Sequence, residues 1–225
     1  MQFQRGNIGA FFRGDPTLKG YWSFNDVLSR DASGNNYHLT DETANGGTAP
    51  EKTTGLLPFI HQGVKFNGSN QCFKNAYITN YGRSVTLACW IQPTSVPTAQ
   101  VWLVGQSGAT QMVINSSGHV MLNGYLSGVW QNISDPNVVE TQRPSFYVGT
   151  DNGTTFKLYK NGILIAAASK SGTYNNNGLA TIIGGYYSAG FRQMYNGKMN
   201  EVAIFFRPLD AIEISRYYKW VTGAP

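Results

Sequence analysis

Bond-breaking chemistry needs groups that donate, accept or attack, and this chain holds few of them: 12 Asp and Glu and 3 His in 225 residues. Glycoside hydrolysis with retention requires two carboxyl groups about 5 Å apart, which on one strand face means acids at alternate positions. No E-x-D-x-E pattern occurs. Asp41-Glu42 falls in a loop-like stretch, Glu201 is a lone acid in a strand-like run, and Asp210 with Glu213 has the spacing of a helix cap. His38, His61 and His119 are far apart, no H-E-x-x-H is present, and no G-x-S-x-G marks a nucleophile elbow. A triad gathered from distant segments is recognised by geometry and leaves no such trace. A protein without enzymatic activity is the expectation.

Two stretches carry the side chains of a binding face. "GGYYSAGFRQMYNG" holds Tyr186, Tyr187, Phe191, Arg192, Gln193 and Tyr195 between two strand-like runs, and "NGYLSGVWQNISD" adds Tyr125, Trp130 and Gln131. Aromatic rings beside amides and a guanidinium suit sugars, which stack on ring faces while amides bond their hydroxyls. They equally suit another protein, since Tyr, Trp and Arg dominate interface hot spots. The structural alternative is that these rings fill a core. At the N-terminus, Phe3, Arg5, Phe11, Phe12 and Arg13 form an aromatic and basic set suited to anchoring residues 1–17 on a neighbouring subunit.

Elements that must position these residues are strands. Charged residues make up 13% of the chain against 41% hydrophobic, with 26 Gly and 13 Tyr, which disfavours long solvated helices and favours strands and turns. Runs such as "SVTLACWIQP", "VWLVGQ", "QMVIN", "HVMLNG" and "SFYVGT" are β-branched or aromatic and are separated by Asn-Gly turn signals, so two packed sheets follow. In "TFKLYKNGILIAAA", Asn161-Gly162 supplies the positive φ of a two-residue type I′ hairpin. In "SVTLACWIQP" the second face carries Trp90, which predicts that both faces are covered. One helix is expected, starting after Asp210: Asp210 and Glu213 make a capping box, Leu209 and Ile214 a hydrophobic staple, and Ile214, Tyr217, Tyr218 and Val221 an apolar stripe.

A net charge of +5 is scattered without a basic arm, which argues against nucleic acid as a partner, and no segment reaches the ~20 apolar residues of a membrane helix. Cys72 and Cys89 sit in apolar runs and read as buried free thiols; their spacing leaves a bridge open. The first 20 residues, interrupted by Arg5 and Arg13, lack the apolar core of a signal peptide, so folding in the cytosol is expected. The expected organisation is an N-terminal arm, 1–17, and one domain, 18–225.

In order, "GYWSFND", "DASGNNYHLT", "GVKFNGSNQCF", "SVTLACWIQPTS", "TTFKLYKNGILIA", "IIGGYY" and "NGKMNEVAIFFRPLDAIEISRYY" resemble the laminin-G-like branch of the concanavalin A-like lectin/glucanase superfamily, over residues 20 to 220. The resemblance implies an all-β, two-sheet antiparallel jelly roll of about a dozen strands with one short C-terminal helix. Trp22 and Phe24 would then face the core, with Asp31 and Ser33 ordering the following turn. Some relatives bind a structural Ca²⁺ through hard oxygens, for which Asp26, Asp31, Asn35 and Glu201 are this chain's candidates. Two acidic family positions are amides here, in "FNGSNQ" and at Asn200, which weakens such a site. No cofactor is required. The function implied is a non-catalytic lectin-like structural or adhesion subunit. The expected setting is a bacteriophage virion surface, as a capsid decoration or fibre-associated protein. It would be made in the host cytoplasm, touch other subunits, form a homo-oligomer and take glycans as further partners, with no nucleic acid or membrane. The alternatives are a bacterial carbohydrate-binding module, extracellular or at the cell surface, and a polysaccharide hydrolase or lyase.

Overall fold

The computed structural model describes residues 8–25, 27–57, 60–82, 84–174 and 178–224. A single helical turn, α1 (Ile8–Phe11), precedes β1 (Leu18–Trp22), β2 (Thr40–Asp41), β3 (Glu51–Leu57), β4 (Ile60–Asn67), β5 (Phe73–Asn75), β6 (Val85–Pro93), β7 (Val101–Gln106), β8 (Thr110–Ile114) and β9 (Val120–Leu126). There follow β10 (Val129–Ser134), β11 (Ser145–Asp151), β12 (Thr155–Lys160), β13 (Ile163–Ser169), β14 (Thr181–Ile183), β15 (Tyr186–Tyr187), β16 (Phe191–Arg192), β17 (Asn196–Phe205) and α2 (Ala211–Thr222). Every pairing is antiparallel. One sheet runs β13-β12-β11-β6-β17-β4-β3 with β1 added on β17; the other runs β10-β9-β8-β7-β14-β5-β2; β15 and β16 form a separate ribbon. This is the expected all-β sandwich, with more and shorter strands than the dozen expected.

Period-two patterning assigns each strand's faces. From β6, Val85, Leu87, Cys89 and Ile91 enter the core between the sheets, while Ala88 and Trp90 turn to the opposite face. That face is covered: Trp90 stacks on Phe146 at 5.1 Å and on Tyr218 of α2 at 5.8 Å. Helix α2 starts as its sequence requires. Asp210 accepts from the Glu213 amide, Glu213 accepts from the Asp210 amide, and Ile214, Tyr217 and Val221 are buried. Gly223, in the left-handed region at φ 73°, closes it by donating to the Lys219 carbonyl. Asn161 and Gly162, at φ 53° and 82°, make the I′ turn between β12 and β13. Cys72 and Cys89 are buried free thiols, and burial pushes the Cys72 thiol up to about 12.

Dense aromatics at 21–24 divide between layers. Trp22 and Phe24 seal the inter-sheet core, and Tyr21 enters the outer cluster under the helices. The turn behind them is fastened by one carboxylate. Asp31 accepts from the amides of Tyr21, Ser33 and Tyr37, at 3.0, 2.9 and 2.9 Å, and from the Ser33 hydroxyl.

The N-terminal segment corrects an expectation. Phe3 and Arg5 lie outside the described residues, but Phe12 is buried against Phe205 at 4.9 Å, and Phe11 packs on Tyr217 and Trp220. These two rings therefore fill the chain's own outer cluster instead of projecting as anchors, and Arg13 is exposed beside them. The described part of the 1–17 arm is part of the domain. Arg207 bonds Asp15 of this segment at 2.6 Å and grips Glu213 of α2 through both of its amino groups, at 2.7 and 2.6 Å.

Strand β17 changes partner at Asn200-Glu201. It pairs with β4 up to Met199 and with β1 from Val202, and its register on β6 shifts between Asn200 and Ala203. Glu201 takes φ 52° at this bulge and is fully buried. Its Oε2 accepts from the Ile8 amide and the Tyr21 hydroxyl, both at 2.7 Å, while Oε1 has no partner among the described residues. Burial outweighs these bonds and raises the carboxyl from 4.5 to about 7.

Two outcomes follow. Phe12→Ala should cost about 3–5 kcal/mol in urea denaturation, the range for truncating a buried aromatic, where a projecting anchor would cost almost nothing. The Glu201 carboxyl favours the native state fully below pH 4.5, where it is neutral folded and unfolded, and that advantage is lost as pH rises through about 7. Glu201→Gln keeps an acceptor without charge. Its stability should match the native chain near pH 4 and exceed it by up to about 3 kcal/mol at pH 8, as read by thermal melts across that range.

Candidate functional site

The ribbon β15–β16 folds over the outer face of the seven-stranded sheet. The Tyr195 amide donates to the Gly184 carbonyl at its base, and the Trp102 amide donates to the Gln193 carbonyl at 2.8 Å, which ties the ribbon to β7. Trp102 donates its indole N–H to the Ile182 carbonyl at 3.1 Å and stacks on Tyr186 at 5.3 Å, with the planes 20° apart. Gln193 holds φ 52°, a left-handed conformation that a non-glycine residue adopts only when its surroundings impose it.

Beside the ribbon, strands β7 to β10 present a row of alternating side chains to the same face. Register places Trp102 opposite Val113, Val113 opposite Met121, Gln111 opposite Asn123, Asn123 opposite Asn132, and Tyr125 opposite Trp130. The result is a groove of about 340 Å³ with Trp102, Tyr186 and Trp130 as its rings, Gln111, Asn123 and Asn132 as the amides of its sheet floor, and Gln100 and Gln193 as further amides in its lining. Trp130 is 46% exposed and packs on Tyr125 at 4.9 Å with the ring planes tilted by 47°. Gln111 and Asn123 are only 3% and 6% exposed, yet Gln111 Oε1 and Asn123 Oδ1 have no hydrogen-bond partner among the described residues. A buried amide oxygen left unpaired costs about 1–3 kcal/mol. Two side by side on the floor of a groove mark a place where a ligand's hydrogens would restore bonds.

Sequence-expected site residues are only partly gathered here. Trp130, Tyr186 and Gln193 line the groove. Tyr125 supports Trp130 from the side, and Tyr187 and Phe191 pair across the ribbon at 4.9 Å. Arg192 is exposed outside the lining. Tyr195 is a correction: it is fully buried in the inter-sheet core and donates its hydroxyl to the Lys198 carbonyl, so it cannot meet a ligand. Gln131 is also engaged, bonding both backbone groups of Ser171. Trp102, Gln111, Met121 and Asn123 were not singled out by sequence. For Trp102, Gln111 and Asn123 the signal is a ring or amide at alternate positions of runs otherwise read only as strands; Met121 shares their face by the same period of two.

The described calcium candidates do not converge. Asp26 lies outside the described residues. Asp31 is occupied by three amides and a hydroxyl, Asn35 turns its amide nitrogen to the Leu18 and Lys19 carbonyls, and Glu201 is sealed under α1. Donors surround Asp31 where a cation would need oxygens, so Asp31, Asn35 and Glu201 do not fit the ion together. Among the described residues, no group of three His, Cys, Asp or Glu is placed to hold a metal.

Acidic groups elsewhere are held in separate structural networks. Asp135 binds Lys160 and the Tyr147 hydroxyl, and Asp151 binds Lys170 at 3.1 Å and the Tyr174 hydroxyl. Two depressions of about 500 and 570 Å³ border the Asp31 turn, and of their polar lining Asp31, Ser33, Asn35 and His38 are engaged in the bonds that hold the turn itself. Among the described residues lining the groove there is no carboxylate, and Glu201, whose pKa is raised by burial, belongs to the other sheet.

Two antiparallel sheets with an aromatic and amide groove on one outer face define a lectin-like β-sandwich. The chain belongs to the laminin G family described as the Concanavalin A-like lectin/glucanases superfamily, which matches residues 66–215. No curated protein matches it by sequence. Among solved structures it is similar to the binding domain of Paraclostridial Mosquitocidal Protein 1, with TM-score 0.73 and 14% identity over 90% of this chain and 52% of that one. It is similar to Domain 4 of AbnA, a GH43 extracellular arabinanase from Geobacillus stearothermophilus, solved with arabinotriose. There the TM-score is 0.73 and the identity 16%, over 90% of this chain and 98% of that one. A third is the binding domain of Botulinum Neurotoxin DC in complex with SialylT, with TM-score 0.69 and 15% identity over 92% and 52%. The chain thus spans about half the length of these toxin domains. At such identities the likeness is one of fold.

Proposed function

We propose that the protein is a non-catalytic, lectin-like binding module that takes glycans in the groove between the β15–β16 ribbon and strands β7 to β10. The observation that carries this reading is the pair of buried, unpartnered amide oxygens of Gln111 and Asn123 beside the rings of Trp130 and Tyr186. Ligand sites combine apolar walls with a few convergent polar groups, and this groove has both. The sugars named with two of the similar structures, arabinotriose and SialylT, support it. The described lining holds no acid or base to transfer a proton, which supports binding over hydrolysis or lyase chemistry. Trp130→Ala and Tyr186→Ala should each weaken glycan binding at least tenfold, about 1.4 kcal/mol, in calorimetric titrations against ligands drawn from a glycan array. Thermal melts should move little, because Trp130 is exposed and Tyr186 half-buried. Unchanged affinity in both variants refutes the site.

An assembly role is the second reading, and it has its own support. Strand β13 ends its sheet with Ile163 and Leu164 at 68% and 47% exposure and with no charged residue in "ILIAAAS". An uncharged edge strand is open to pairing with another chain. The expected setting on a virion surface, as a decoration or fibre-associated subunit, rests on family analogy and belongs to this reading; a cell-surface or extracellular module is its alternative. Ile163→Lys should convert any oligomer seen by light scattering to monomer while leaving glycan affinity intact. A monomeric native chain that also fails to co-purify with a particle sinks the assembly role.

A further inference from the structure

The groove's chemistry narrows its ligand, and this inference rests on the glycan reading above. Every side chain that the described residues contribute to the lining is uncharged. A carboxylate or sulfate entering it would give up water for amide N–H groups alone, without the guanidinium or ammonium that makes burial of an anion favourable. The ribbon's own cation, Arg192, is exposed and outside the lining. A side-chain amide both donates and accepts, and a hydroxyl does the same, so the two satisfy each other in either orientation.

Placement of the amides adds a shape. Gln111, Asn123 and Asn132 sit directly opposite one another on β8, β9 and β10, so they form a line perpendicular to the strands, with Trp130 at its β10 end. Adjacent strands are about 4.8 Å apart, a step comparable with the length of one ring in a sugar chain. We propose that the groove binds an uncharged linear oligosaccharide laid across β8 to β10. Its hydroxyls pair successively with the Gln111, Asn123 and Asn132 amides, and one ring face rests on Trp130.

Calorimetric titration of the full chain tests this. One arm uses neutral arabino-, xylo-, manno- and β-gluco-oligosaccharides of two to five rings; the other uses oligogalacturonate, alginate oligosaccharides and a sialylated trisaccharide. At least one neutral series should bind, with affinity that rises with length up to three or four rings. That affinity should change by less than about twofold between low and high salt, since no ion pair is screened. Asn123→Ala and Asn132→Ala should each weaken it about tenfold; Asn132 is exposed, so its variant folds even if the Asn123 one does not. Binding of an acidic series alone, with steep salt dependence, overturns this inference and leaves the glycan reading standing. Length-independent binding that the amide variants do not alter overturns it likewise. Silence in both arms overturns both.

Discussion

The sandwich depends on one strand serving two neighbours. Strand β17 is flanked on one side by β6 and on the other by β4 and then β1, and it can make that exchange only by bulging at Asn200-Glu201. A left-handed backbone at a glutamate and a fully buried carboxylate are both unfavourable. They persist because the surroundings use them. Asn200 spans the gap with bonds to the Gln62 carbonyl and the Leu56 amide, and Glu201 receives the Ile8 amide and the Tyr21 hydroxyl. The bulge thereby joins the inter-sheet core, the outer cluster beneath α2 and the N-terminal segment in one place.

With that sheet sealed on both faces, the free face of the sandwich is the outer side of the other one. The eight-stranded sheet is covered by α1 and α2, whose rings pack onto Trp90, Phe146 and Phe205. The seven-stranded sheet is covered only in part, by the β15–β16 ribbon over Trp102 and Ile182. Beyond the ribbon's edge the face is left to amides and rings. This division of labour explains why aromatic residues are spread through the whole chain while few are open to solvent: most fill one of three clusters, and Trp130 stands clear of them.

Charge is sorted by the same architecture. Asp15, Asp31, Asp135, Asp151 and Glu201 are each tied to named structural partners, and the described groove lining has none. Lectin-like recognition of neutral ligands draws on stacking and amide bonds, which need no perturbed ionisation. The raised carboxyl of Glu201 instead makes stability sensitive to pH in a part of the molecule remote from the groove.

Local chemistry by itself determined the type I′ turn at Asn161-Gly162, the capped start of α2 at Asp210, the two covered faces of β6 and the all-β class, because each is fixed by backbone preference or by a period of two or 3.6 within a few residues. Tertiary structure alone decided which rings face a ligand. Tyr195 and Tyr186 are nine residues apart in one aromatic loop, yet the ribbon's base turns the first into the core and leaves the second on the groove. Phe11 and Phe12 read as an exposed anchor until α2 is seen to offer them a cluster. Gln111, Asn123 and Asn132 are unremarkable in separate strands, and become a row only because inter-strand register, set by long-range pairing, aligns them.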